Sequence, residues 1–259
     1  MNYSRLSAKN LSVRYSDHFI LNDLSVVIPD GSFSAIIGPN GCGKSTLLRT
    51  LCRLLSPEIG NVFLDQKPIS TYPTSEVAKI IAFLPQRTLP PEGISVGELV
   101  ARGRFPHQSF FKQWSRTDEM AVLQALTDVK MLDFAEKPIS QLSGGQCQRV
   151  WVAMALAQET PIMLLDEPTT FLDIAHQIDL MELLCELNKK GRTIVAVLHD
   201  LNHASRYANN IIAMKNGKIV ASGKPSDTLT VELIKTIFDL NSIIIKDPVS
   251  DNPFVIPSN

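Results

Sequence analysis

Several short stretches of this chain are apolar at almost every position, and the segments between them repeat at helical spacing or carry turn residues. Short continuous apolar runs are the pattern of strands buried on both faces, as in parallel sheets. SFSAII at 32–37 reads as a buried strand from its alternation and apolar content, and continuous apolar runs occupy 80–84, 162–165 and 193–198. The first ends at Gly38 and is followed by Leu47, Leu48, Leu51, Leu54 and Leu55, an amphipathic helical stripe closed by Pro57. A second helix is expected over 174–190, with Ile174, Ile178, Met181 and Cys185 on one face and Lys189, Lys190 and Gly191 as stop signals. The segment 24–28, the turn Pro29-Asp30-Gly31 and 32–37 read as a hairpin, as does 211–223 around Asn216-Gly217. Between 87 and 157 strand signals fade, and helical ones take over at 120–129 and after Gly145. The organisation expected is an α/β core formed by 1–86, with an antiparallel β portion, and 158–259, with a mainly helical stretch at 87–157 between them.

The chemistry sits at the ends of these runs. Residues 38–46, GPNGCGKST, satisfy G-x-x-x-x-G-K-[ST] through Gly38, Gly43, Lys44 and Ser45. A buried strand, a glycine loop and a helix form the setting in which backbone amides wrap a phosphate chain. Lys44 would neutralise the β- and γ-phosphates, and the Ser45 hydroxyl would ligate Mg²⁺. The alternative is an ordinary glycine-rich turn, which those flanks disfavour. The strand 162–165 delivers Asp166 and Glu167 at its carboxyl end, where ligands bind in open α/β sheets. Asp166 would hold Mg²⁺ through its water shell, and Glu167 would take a proton from the attacking water. An N-cap acid pair ahead of Pro168 is the blander reading. In LSGGQ, Ser143, Gly144 and Gly145 place amides and a hydroxyl at the start of a helix, whose N-terminus attracts anions.

Taken in order, the chain carries GPNGCGKST, LPQ ending at Gln86, LSGGQ, IMLLDE, TTFLD and LHD. This series resembles the nucleotide-binding subunit of an ABC transporter along nearly the whole chain: Walker A, glutamine loop, signature, Walker B, D-loop and switch histidine. The resemblance implies an ABC ATPase fold of the P-loop class. It implies a head-to-tail homodimer with two ATP molecules trapped between the subunits. Each ATP would lie between one subunit's phosphate loop (Gly38, Pro39, Asn40, Gly41, Cys42, Gly43, Lys44, Ser45, Thr46) and the other's Ser143, Gly144, Gly145 and Gln146. Gln86 would touch Mg²⁺ or the attacking water, His199 the γ-phosphate, and Asp173 the opposite subunit, although Asp173 also reads as an N-cap. Tyr15 is the candidate for stacking on adenine, with packing at a strand end as its other reading; Arg14 beside it would flank the phosphates or simply be solvated. Phe171 departs from the small residue common in the D-loop.

Composition narrows the partners. With 25 Lys+Arg against 26 Asp+Glu, the net charge is −1, and no basic excess argues for nucleic acid. No apolar run is long enough to span a bilayer, so any passage across a membrane would belong to a partner. The resemblance implies that this partner is a separate permease and that the chain sits at the cytoplasmic face of the inner membrane. The cysteines Cys42, Cys52, Cys147 and Cys185 form no zinc framework and read as reduced thiols. Cys42, inside the phosphate loop beside Lys44, reads either as a thiol with a lowered pKa and raised reactivity or as an inert small side chain. His199, Asp200 and His203 approach the H-E-x-x-H pattern, but His199 ends a strand before the helix begins, which argues against zinc. His18, His107 and His176 read as surface or packing residues. The string VARGRFPH at 100–107, with the phosphate loop, resembles importers that serve ferric siderophores, haem and cobalamin; solvated Arg102 and Arg104 in a loop are its blander reading. The resemblance therefore implies ATP-driven import of an iron chelate, with an extracytoplasmic substrate-binding protein upstream. Cobalamin, haem or another metal is the alternative cargo. A soluble ABC ATPase without a membrane partner is the rival class, lacking here its usual coiled-coil insertion or tandem cassette.

Overall fold

The computed structural model describes residues 4–16, 18–86, 92–108 and 114–258, and the chain divides into two compact units, 1–72 with 193–259, and 73–192. The first unit begins with β1 (Leu6–Tyr15), β2 (His18–Ile28), β3 (Phe33–Ile37), α1 (Lys44–Leu51), β4 (Ile59–Leu64) and β5 (Lys67–Pro68). The second unit holds α2 (Thr74–Ile80), β6 (Ile81–Leu84), α3 (Val96–Ala101), α4 (Arg116–Asp128), α5 (Gly144–Ala157), β7 (Ile162–Asp166) and α6 (Ile174–Lys189). The first unit resumes with β8 (Thr193–Val197), α7 (Leu201–Tyr207), β9 (Asn210–Lys215), β10 (Lys218–Gly223), α8 (Pro225–Thr228), α9 (Val231–Phe238), β11 (Ser242–Lys246) and β12 (Pro253–Pro257).

In the first unit, β3 lies between β8 and β9 and runs parallel to both, while β10 returns antiparallel on β9. Every residue of β3 and β8 is buried, as in parallel strands covered on both faces. A separate antiparallel sheet runs β2-β1-β4-β5. In the second unit β6 and β7 pair in parallel, Ile81 opposite Ile162 through to Leu84 opposite Leu165.

The Asn216-Gly217 hairpin forms as expected: both residues have positive φ, 49° and 72°, as a type I′ turn requires. Four expectations need correction. The 24–28 and 32–37 runs do not pair as a hairpin, because β2 joins β1 in one sheet and β3 joins β8 and β9 in another. The cause is visible in their burial: β2 alternates in its second half, as a strand covered on one face does, whereas β3 is buried throughout. The helix after Lys44 stops at Leu51, since Arg53 turns left-handed (φ 64°) and Leu54 is 60% exposed. Ile80 closes α2 instead of opening the strand, which begins at Ile81. On α6 the buried face is Leu180, Met181, Leu184 and Leu187, while Ile174 is exposed and Ile178 and Cys185 are half-buried. Helices cover 96–101, 116–128 and 144–157, within the region expected to be helical; its expected start at 87 falls outside the described residues.

Candidate active site

In the first unit the phosphate loop leaves β3 at Gly38 and enters α1 at Lys44. Its glycines are required by close packing as well as by turning. A Cβ on Gly38 would stand 2.3 Å from the Met214 carbonyl oxygen, and Gly43 (φ 102°) would put one 2.8 Å from Leu21 Cδ2. Lys44 is buried and its Nζ donates to the carbonyls of Gly38 and Pro39 at 2.8 and 2.9 Å, so the ammonium is folded over the loop that precedes it. A cation held inside a ring of backbone amides is suited to an anionic polyphosphate. Thr46 is buried beside it, Ser45 is half-buried, and Asn40 and Gly41 are exposed at the tip. Gly217 of the hairpin touches this loop, donating its N–H to the Cys42 carbonyl at 3.1 Å.

Cys42 is 4% exposed, and burial pushes its thiol pKa up, with Lys44 opposing. The reading as a low-pKa, reactive thiol is thereby overturned: loss of hydration outweighs the neighbouring cation. Tyr15 ends β1 and is 45% exposed, so its ring is available. Arg14 is engaged by protein groups, with Nε 3.1 Å from Glu58 and its guanidinium over Phe19. His199 follows β8 and is exposed. Asp200 caps α7, accepting from the N–H groups of Asn202 and His203 at 2.7 and 2.9 Å. That role separates His199 from His203, and the described residues contain no group of three or more His, Cys, Asp or Glu able to hold a metal.

In the second unit β7 carries Asp166, fully buried, to its end, and Glu167 follows in a left-handed conformation (φ 54°). A left-handed residue breaks the strand conformation at the position that carries the second carboxylate. Gln86 Nε2 donates to Glu167 Oε2 at 2.6 Å, and Thr170 Oγ1 donates to the same oxygen at 3.3 Å. Thr170 was not foreseen, because its role depends on the chain doubling back after Pro168. Gln148, buried within α5, donates to the Pro168 carbonyl at 3.2 Å and ties the signature helix to this turn. Ser143 caps α5 in a reciprocal box: Gln146 N–H donates to its hydroxyl at 3.2 Å, and Ser143 N–H to Gln146 Oε1 at 3.0 Å. Ser143 and Gly144 are exposed, so the helix N-terminus is open to an anion. Asp173 caps α6, accepting the His176 N–H at 2.9 Å, which with the adjacent imidazole holds its carboxyl below the usual range.

Arg104 contradicts the solvated reading. It is buried, its Nε donates to Asp118 at 2.9 Å, and its Nη1 donates to the Ala157 carbonyl and to Glu159, both at 2.7 Å. His107, in the same short 3₁₀ helix (Arg102–His107), lies 2.7 Å from the Gln158 carbonyl. The VARGRFPH string therefore latches α3 and α4 to the end of α5.

A strand–glycine loop–helix and a buried strand ending in two carboxylates are shared by many nucleotide hydrolases. The comparison that decides between them is a match to the family described as ABC transporter over residues 21–170. The chain belongs to the ABC transporter family. Within it, this ABC protein is an ATP-hydrolysing cassette. It is 54% identical to the ferric enterobactin transport ATP-binding protein FepC of Escherichia coli over 98% of this chain and 94% of that protein. It is 50% identical to the probable siderophore transport system ATP-binding protein YusV of Bacillus subtilis, over 99% and 94%. Among solved structures it is similar to a metal-chelate type ABC transporter in an inward-facing conformation (TM-score 0.84, 30% identity, 100% of this chain and 98% of that one). It is also similar to a dimeric bacterial ABC transporter cassette (TM-score 0.76, 32% identity, 85% and 98%). The ABC ATPase has no helix among the described residues long and apolar enough to cross a membrane. Each unit, taken by itself, offers oxygen donors of the kind magnesium takes: the half-buried Ser45 hydroxyl in the first, and the Gln86 amide and buried Asp166 carboxylate in the second. These hard oxygens fit an ion that keeps its other ligands from phosphate and water.

Proposed function

We propose that this ATPase energises uptake of an iron chelate, of the ferric siderophore type, through a separate integral membrane permease at the cytoplasmic face of the inner membrane. The observation that supports the cargo is its likeness, over nearly the whole chain, to proteins named for ferric enterobactin and siderophore transport. An extracytoplasmic substrate-binding protein would deliver the chelate, and the helical segment 87–157 would act as the subdomain inserted in the 1–86 and 158–259 core. Two copies would face each other, each ATP lying between the phosphate loop 38–46 of one and Ser143, Gly144, Gly145 and Gln146 of the other. Tyr15 would stack on adenine, and Asp173 would meet the opposite subunit.

In the hydrolytic step Glu167 accepts a proton from water as the water oxygen attacks the γ-phosphorus. The bond from that phosphorus to the β–γ bridging oxygen breaks, and ADP and phosphate result. The hydrogen bond from Gln86 orients the Glu167 carboxylate, and positioned general bases contribute roughly 10²–10⁴-fold. Lys44 and His199 would balance charge on the γ-phosphate. Magnesium, when bound, neutralises phosphate charge, and Ser45, Gln86 and Asp166 are the residues that would hold it. The test is a tagged pull-down from detergent-solubilised native membranes, with mass spectrometry of co-purifying chains. A many-helix permease encoded with iron-chelate uptake supports the reading; recovery of soluble partners alone overturns it.

A further inference from the structure

Helix α7 begins two residues after His199 and has only seven residues, of which Ala204 and Ser205 are buried. So short a helix does not hold itself in water. The β11–β12 hairpin is also a two-stranded sheet of its own, and such hairpins are marginal alone. Each holds the other through directed polar contacts. Asn202 binds both main-chain groups of Val255: its Oδ1 accepts the N–H at 2.7 Å and its Nδ2 donates to the carbonyl at 3.2 Å. The Ser205 hydroxyl donates to the Pro253 carbonyl, and Asn252 Nδ2 returns a bond to the Ser205 carbonyl at 2.8 Å. Arg206 closes the set with a two-pronged contact to Asp247, Nε at 2.8 Å and Nη2 at 3.0 Å. Asp247 is 2% exposed and is held further by Val249 N–H at 3.2 Å and the Ser250 hydroxyl at 2.7 Å.

We infer that the carboxyl-terminal hairpin sets the rotation and position of α7 and, through the Asp200 cap, the place of His199. Asn202, Arg206 and Asp247 are positioning residues for hydrolysis and do not touch ATP. The physical reason is the kind of contact: paired hydrogen bonds to a backbone and a forked ion pair fix angle as well as distance, which apolar packing of two small residues cannot do. Because Asp200 takes the N–H groups of Asn202 and His203, a rotation of α7 is passed directly to the residue preceding the cap. The inference rests on His199 acting on the γ-phosphate.

The experiment compares ATP turnover of the full chain with Asn202→Ala, Arg206→Ala, Arg206→Lys and His199→Ala variants, alongside nuclear magnetic resonance of ¹³C-labelled histidines. The His199 signal is assigned as the one lost in His199→Ala. Misplacing a reacting group by a fraction of an ångström to an ångström costs up to about 10²-fold, so Asn202→Ala is expected to lower kcat about 10-fold with KM nearly unchanged. It should also move the His199 resonance, and Arg206→Lys should keep more turnover than Arg206→Ala. Should Arg206→Ala fail to fold, the uncharged Asn202→Ala change still decides. An unmoved His199 signal, or unchanged kcat, in Asn202→Ala overturns the clamp. Wild-type turnover in His199→Ala instead overturns the assignment of His199 and leaves the site reading at fault.

Discussion

Replacing Arg104 with alanine removes a guanidinium that is 3% exposed and carries three hydrogen bonds within the second unit. The partners are unequal. Glu159 has a half-exposed side chain (49%), and an exposed ion pair contributes at most ~1 kcal/mol. Asp118 is buried with side-chain exposure of 5%, and removing one partner of a buried pair costs ~3–5 kcal/mol because the other charge is left stranded. The Ala157 carbonyl, at the end of α5, is a further acceptor left short, but these losses share one side chain and do not add. The expected penalty is therefore ~3–5 kcal/mol. Replacing both partners, Arg104→Met with Asp118→Leu, should recover part of it, since no buried charge remains while the Ser115 N–H and hydroxyl lose their acceptor. The chain's two tryptophans, Trp114 and Trp151, both lie in the second unit, so urea titration followed by tryptophan emission reports this unit directly. The Ser115 hydroxyl and Arg104 hold the Asp118 carboxyl down at about 2 against the cost of burial. A depressed carboxyl pKa stabilises above its unfolded value and loses that contribution as pH falls through the folded one. Wild-type Asp118 is ionised at both pH 7 and pH 5, so any change in the Arg104→Ala penalty between them should be a decrease at pH 5, as the stranded carboxyl, now without the cation that lowered its pKa, takes up a proton. A loss under ~1 kcal/mol, or a double variant as unstable as the single one, would refute the keystone role.

Glu167→Gln should lower turnover by roughly 10²–10⁴-fold while leaving ATP bound and the subunits dimeric, measured by phosphate release and light scattering; near wild-type hydrolysis would remove Glu167 as the base. Ser143→Arg costs about 1 kcal/mol of helix capping and should abolish ATP-driven dimerisation, with nucleotide binding by the phosphate loop retained. A normal ATP-bound dimer on size-exclusion chromatography would count against the two-sided site. Cys42 should react with iodoacetamide at pH 7 far more slowly than a free model thiol, because it is buried and its pKa is raised. Peptide mapping that found Cys42 labelled as fast as the model thiol would contradict that environment.

The local chemistry was legible from residue order, because it depends on neighbours in the chain. The phosphate loop, the helix start at Ser143, the Asn216-Gly217 turn and the Asp166-Glu167 pair at a strand end are all set within a few residues. What the pattern could not supply is which surfaces meet. The pairing of β3 with β8 and β9, instead of with its chain neighbour β2, depends on strands about 160 residues away, which no short-range turn signal reports. The same holds for side chains whose meaning changes with burial. Arg104 reads as a solvated loop residue until Asp118 and the end of α5 enclose it, and Cys42 reads as an activated thiol until packing removes its water. Gln86 and Glu167 lie 81 residues apart, and only the parallel pairing of β6 with β7 brings their ends together. Short-range sterics and hydrogen bonding wrote the motifs; desolvation and long-range contact, which exist only in the folded chain, decided what each residue in them faces.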